Sequence, residues 1–189
     1  PWLLLLVGAF ITWRLDSQQQ HNQQALEQVR FHREAAEVVN ALERQLQDTV
    51  TILRGVSGLF ISSEVVTRQE FSKYVQTLQL NTAYSGIQGV GFARWMPASQ
   101  VPGHQAEVRA EGFADFAIHP LAPTRPYYSS IVYLEPFDWR NQRAFGYDMF
   151  SEPVRQQAMR RAVETGQPAL SDRITLLQET EKDRQNGFL

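Results

Sequence analysis

The chain contains no cysteine. Disulfides, thiol catalysis and thiolate metal sites are thereby excluded, while the redox compartment stays open. Histidine is scarce: His21, His32, His104 and His119 are scattered, none at ligand spacing from a carboxylate, which argues against a metal site. Positive charge is not in excess either. With 18 Lys and Arg against 20 Asp and Glu, the formal net charge is −2 and the pI about 6.1. Nothing is left to neutralise a phosphate backbone, which argues against nucleic acid as a partner. Gly89 and Gly91 are followed by no Lys-Ser/Thr, which discounts a phosphate loop. Ser129, Ser130 and Ser151 lack the flanking glycines of a nucleophile elbow. No nucleophile, base and orienting acid stand together, so catalysis is not expected in this segment.

Apolar runs are short. The opening run, Pro1 to Trp13, is uncharged up to Arg14, yet it falls short of the roughly 20 residues that span a bilayer. A signal-peptide core is one reading, but no basic segment precedes the run and no small-residue cleavage site follows. We read residues 1–15 as a truncated transmembrane helix, with Trp2 and Trp13 as interfacial anchors. The chain starts on proline and stops at Leu189 within a rising apolar run, so it reads as an excerpt of a longer, membrane-anchored protein.

What is present suits a globular module. Hydrophobic residues make up 43% and aromatics 11% of 189 residues, enough for one domain with a core or two small ones. Residues 16–55 are polar and glutamine-rich at first, with no Gly or Pro before Gly55, which predicts one long helix. Val39, Leu42, Leu46, Leu53 and Val56, with Thr49 between, recur three and four apart as a heptad seam, weakened earlier by Gln28 and His32. Such a helix either packs on its own domain or forms a stalk that pairs with a second copy.

Beyond it, Gly55 and Gly58 mark a bend or a close approach. Val66-Thr67-Arg-Gln-Glu70-Phe71 reads as a capping box with a hydrophobic staple. Strands are expected over 87–96, 113–118 and 127–134, with a helix before Gly112. Tyr128 and Tyr133, an odd number apart, should face opposite sides of a regular strand. Phe145 to Asp148 forms a further short strand. Ser151 caps the next helix, Glu152 and Pro153 suit its first turn, and Gly166 ends it. On that helix Arg155, Arg160 and Arg161 read as a solvated face. Residues 169–171 and 173–178 return as strand. Short connections make the sheet antiparallel with helices on one side, an α+β class.

Asp148 is the residue that stands out. A carboxylate on an apolar wall costs several kcal/mol unless partnered, so it caps the following helix, pairs with an arginine such as Arg173, or meets a ligand. Arg125, Tyr127, Glu135 and Asn141 read as loop and turn holders.

Phe92-Ala-Arg-Trp-Met96, Arg125-Pro-Tyr127, Tyr133-Leu-Glu-Pro136, Asn141, Gly146-Tyr-Asp-Met149, Ser151-x-Pro153 and Ala162-x-x-Thr165-Gly166 together resemble the CHASE domain in order and spacing. This is the extracytoplasmic sensory domain of membrane-bound histidine kinases and nucleotide cyclases, and the resemblance runs from about Gly55 to Leu189. It implies a long stalk helix followed by PAS-like modules, here residues 56–189, between transmembrane helices. It implies a histidine kinase or diguanylate cyclase output elsewhere in the protein, a homodimer through the stalk, and placement after residue 15 in the periplasm or extracellular space. In the plant cytokinin receptors of the family, the matching acid bonds an adenine-like ring, which puts the ligand-binding role on Asp148. A backbone contact falls on Leu170 and a pocket threonine on Thr165. Tyr128, Tyr133 and Arg173 complete the candidate ligand-binding set. Ser171-Asp-Arg173 departs from the plant pattern, so the pocket's location carries over and the ligand's identity does not. No cofactor is expected. The competing reading is a non-binding dimerisation or protein-interaction module.

Overall fold

In a computed structural model of the protein, residues 2–84, 86–177 and 186–189 are described, and of 3–27, 29 and 81 the backbone alone. Of the expected membrane segment the backbone from Trp2 onward is described but no side chain beyond Trp2, and most of the charged run after Glu179 lies outside the described residues. Among the described residues, no helix is long and apolar enough to cross a membrane.

The chain divides into two compact units, residues 1–48 and 49–189. The first is helical and belongs to α1 (Trp2–Ser62), with Val39, Leu42 and Leu46 exposed. In the second unit, the last turns of α1 bury Ile52 and Val56 in a core shared with Val66, Phe71, Val75, Leu80 and Val90. Helix α1 runs on through Gly55 and Gly58, and the close approach is at Gly55. Gly55 makes room for the hydroxyl of Tyr74, which any Cβ there would strike, and Gly58 faces open space.

Helix α2 (Arg68–Thr77) starts on a complete capping box: Glu70 N–H donates to Thr67 Oγ1 at 3.2 Å, and Thr67 N–H donates to the Glu70 carboxylate at 2.8 Å. The bonds this carboxylate accepts, from Thr67 N–H first and from Thr67 Oγ1 at 2.7 Å second, hold the Glu70 carboxyl below its ordinary range. Leu80–Ala83 is the short helix α3, and Val90–Pro97 is strand β1. Helix α4 (Val101–Ala110) follows a 3-10 turn and ends at Gly112, whose φ of +105° only glycine adopts readily. Strand β2 (Tyr127–Glu135) pairs antiparallel with β1, and α5 (Pro153–Thr165) runs to Gly166 in the left-handed conformation. The architecture is α+β with a small antiparallel sheet. A second core joins Met96, Val101, Val108, Phe116, Ile118, Tyr128 and Val132, so α4 covers the face that Met96 and Tyr128 share.

The register between β1 and β2 is not regular. Phe92 pairs with Tyr133 and Ala93 with Ile131, leaving Val132 as a β-bulge. Tyr128 opposes Met96 and Tyr133 opposes Phe92. Met96 and Phe92 are four apart on β1, so both tyrosines lie on one face. The expectation of opposite faces fails because one inserted residue shifts the alternation.

Other expectations are corrected by local hydrogen bonding. Residues 113–118 form no strand but a turn at 114–115 and irregular backbone after it, and the backbone ladder is reached only at the His119–Tyr147 bridge. Phe145 to Asp148 is likewise held by single bonds: Gly146 N–H donates to Ile131 at 2.9 Å, and Ile131 N–H to Tyr147 at 3.0 Å. Of 169–178, only β3 (Ile174–Thr175) forms within the described residues, paired with β4 (Asn186–Gly187). The N-cap of α5 is Glu152, not Ser151. Its carboxylate accepts from Val154 N–H and Arg155 N–H, at 3.0 and 2.9 Å.

Candidate functional site

Asp148 ends the segment that follows β2 in space, and Gly146 sets its position. A side chain there would collide with the Ala117 carbonyl, and its φ is +83°. The Asp148 carboxylate has no exposed surface. Its Oδ1 accepts from the N–H of Ser129 at 2.7 Å and of Phe150 at 3.1 Å. Its Oδ2 accepts from Arg125 Nε at 2.9 Å and lies 2.8 Å from Arg125 Nη2. Charge-assisted bonds of this kind are the strong ones, and here they occupy both oxygens. Of the two structural roles weighed for Asp148, pairing with an arginine is filled, whereas its cap falls on the 3-10 turn Met149–Ser151 and not on α5, which Glu152 caps. The arginine is Arg125, however, and not Arg173, which is exposed.

Arg125 also gathers its own loop. Its Nη1 donates to Pro123 at 3.0 Å and its Nη2 to Pro120, while the guanidinium stacks 5.0 Å above the Tyr128 ring. Tyr128 Oη accepts from Arg125 N–H and donates to the Leu121 carbonyl, both at 3.3 Å. Asp148 and Tyr128 are therefore brought together through Arg125.

The remaining expected site residues have partners of their own. Tyr133 lies among Phe60, Phe71 and Phe92, and its hydroxyl donates to Val66 at 2.8 Å. Burial raises its phenol above the ordinary 10, so it stays a neutral donor. Thr165 is exposed at the end of α5, its hydroxyl donating to Arg161 at 2.7 Å. Leu170 is 48% exposed, and its carbonyl accepts from Arg161.

Three polar side chains stand apart from the sequence reading. Arg155 is not solvated: it is buried, donates to the Thr175 carbonyl at 2.9 Å and stacks 5.3 Å over Tyr147. Arg68 lies over Phe113 and Tyr133 and donates to the Val132 carbonyl at 2.7 Å. His104 is buried edge-on to Phe116, with Nδ1 3.4 Å from Arg94 Nη1 and Nε2 without a hydrogen-bond partner among the described residues. Helical spacing of His104 with Val101 and Val108 is the sequence signal for its burial.

Burial, then the Arg94 charge, lowers the His104 pKa below its ordinary 6.5, with Glu107 and Glu111 opposing. The unfolded chain then binds more protons than the folded one as pH falls below that value, so stability drops through acid pH. Thermal melts of the wild type and His104→Gln between pH 7.5 and 5 check this. The wild type is expected to lose more stability on acidification, and parallel curves would contradict the assignment.

A family model described as the CHASE domain matches residues 64–189 of the 189. The match takes in the capping box, the sheet, Arg125 and Asp148. No curated protein matches the chain. CHASE domains are sensory, non-catalytic domains from the extracellular part of membrane-bound signalling receptors. The sensory module expected from the motif order is thus the one matched, and the chain belongs to the CHASE domain family.

Proposed function

We propose that this segment is the ligand-sensing ectodomain of a transmembrane receptor, with a small-molecule site centred on Asp148 in a PAS-like module. Residues 1–15 enter the membrane, 16–55 form the stalk, and 56–189 sense the ligand. Two copies pair through Val39, Leu42, Leu46 and Leu53, which are spaced as a heptad seam and are all exposed. Ligand binding favours one of two stalk arrangements and so biases a kinase or cyclase output. An adenine-like molecule is one candidate for the ligand. Tyr128 belongs to the site through its contact with Arg125. Leu170, Thr165 and Arg173, all exposed, close on the ligand as it binds, and Tyr133 backs the sheet behind it.

The observation that carries this reading is the fully buried Asp148 carboxylate, whose cationic partner comes from an exposed loop. A thermal-shift screen of nucleobases, amino acids and small carboxylates on the wild type and Asp148→Asn tests it. A ligand at a hundred times its dissociation constant adds about 2.7 kcal/mol of stability. A compound is expected to stabilise the wild type and not the variant. The satisfied state of Asp148 favours a second reading, a non-binding interaction module, and a screen with no such compound would give that reading the lead.

A further inference from the structure

The two donors that Arg125 gives to Asp148 differ in origin from the other two. Ser129 N–H belongs to β2 and Phe150 N–H to the turn that Asp148 caps. Arg125 instead comes from the stretch between His119 and Pro126, where Pro120, Leu121, Ala122, Pro123 and Thr124 are all exposed. That loop is folded around the guanidinium, which bonds the carbonyls of Pro120 and Pro123 as well as Asp148.

The slot filled by the guanidinium has a defined chemistry. One wall is a carboxylate edge, a second is the face of Tyr128, and the rim carries two carbonyl acceptors. All of these favour a flat cation with several N–H donors, since a planar fork matches a carboxylate edge and an aromatic face attracts positive charge. We propose that Arg125 is a resident stand-in for a ligand. The slot takes a small molecule with a planar guanidinium- or amidinium-like edge, and that molecule enters by displacing Arg125 and opening the 119–126 loop. This rests on Asp148 being the ligand anchor and adds the ligand's chemical class.

Methylguanidinium and benzamidinium are the probes, applied to the purified chain as wild type, Arg125→Ala, Arg125→Gln and Arg125→Ala/Asp148→Asn. Arg125→Ala is expected to melt lower, and either probe to restore the melting temperature saturably. The wild type should need at least about tenfold more probe, because its slot is open only in a minor population. In the wild type, tryptophan emission should change as the probe saturates, since Tyr127, next to the loop, stacks on Trp95 at 4.7 Å. A purely structural ion pair would leave that signal unmoved. The double variant should not respond. Arg125→Gln, which keeps a donor to the loop carbonyls, serves if Arg125→Ala does not fold.

Folded variants that take no probe would overturn the inference, as would an equal response in the double variant. A compound from the wider screen that binds the wild type and is weakened by Arg125→Ala would also overturn it. Arg125 would then hold the ligand rather than stand in for it, and the sensing role of Asp148 would survive.

Discussion

Asp148→Ala is expected to destabilise the protein by about 3–5 kcal/mol, because it leaves the Arg125 guanidinium largely buried without its counter-charge. The side chain of Arg125 is 15% exposed and that of Asp148 not at all, so water does little to compensate. The same change orphans the buried Ser129 N–H, whose acceptor is the lost carboxylate. For a domain of this size the melting temperature should fall by about 10 °C or more. Urea unfolding checks the assignment: the midpoint should drop while the slope stays constant. Asp148→Asn keeps an acceptor for Ser129 and should cost less. A cost for Asp148→Ala no larger than about 1 kcal/mol, the ordinary cost of an exposed pair, would remove Asp148 from the centre of the fold.

Phe71→Ala should cost a similar amount, about 3–5 kcal/mol, by a different mechanism. Phe71 is fully buried and lies between elements distant in sequence. Its ring centroid is 6.0 Å from that of Phe60 on α1 and 5.4 Å from that of Tyr133 on β2. Truncation leaves a cavity where α2, β2 and the end of α1 meet, and the bulged strand cannot collapse to fill it. Phe71→Leu retains most of the volume and should lose less. Equilibrium unfolding of the two variants separates a cavity from a general loss of helix α2. Equal losses would point to the helix rather than to the space the ring fills.

The features legible in the sequence are those set by neighbours along the chain. The capping box from Thr67 to Glu70 and the glycine stop of α5 depend on residues within one turn, and both form where their spacing places them. The cap expected at Ser151 falls one residue later, because Glu152 reaches the same free N–H groups with a carboxylate. Features that depend on long-range pairing are less legible. The apolar content of 113–118 and 145–148 suggests strands, but those side chains are buried by packing of Phe116, Ile118 and Tyr147 without a continuous ladder. Asp148 stands out in the sequence because a lone acid amid apolar residues needs a partner. The partner's identity is hidden there: Arg125 lies 23 residues away, in a loop with no periodicity to betray its direction. Arg155 misleads for a similar reason. Helical spacing places it among charged neighbours, while its burial depends on Thr175 and Tyr147, which the helix pattern does not include.

The bulge sets Val132 outside the pairing of β2 with β1, so its place in the strand rests on what its own atoms touch. Deleting residue 132 would make the ladder regular while leaving Ile131 opposite Ala93 and Tyr133 opposite Phe92, so both faces of the strand would be kept. Tyr133 would stay beside Phe71 and the Val66 carbonyl, while the buried Val132 side chain and the carbonyl to which Arg68 donates would be gone. Another apolar residue at 132 can keep the hydrophobic contact, and its carbonyl will still serve Arg68. The strand's reading frame therefore survives either change at this point, and what the extra letter spells is the tie to α2.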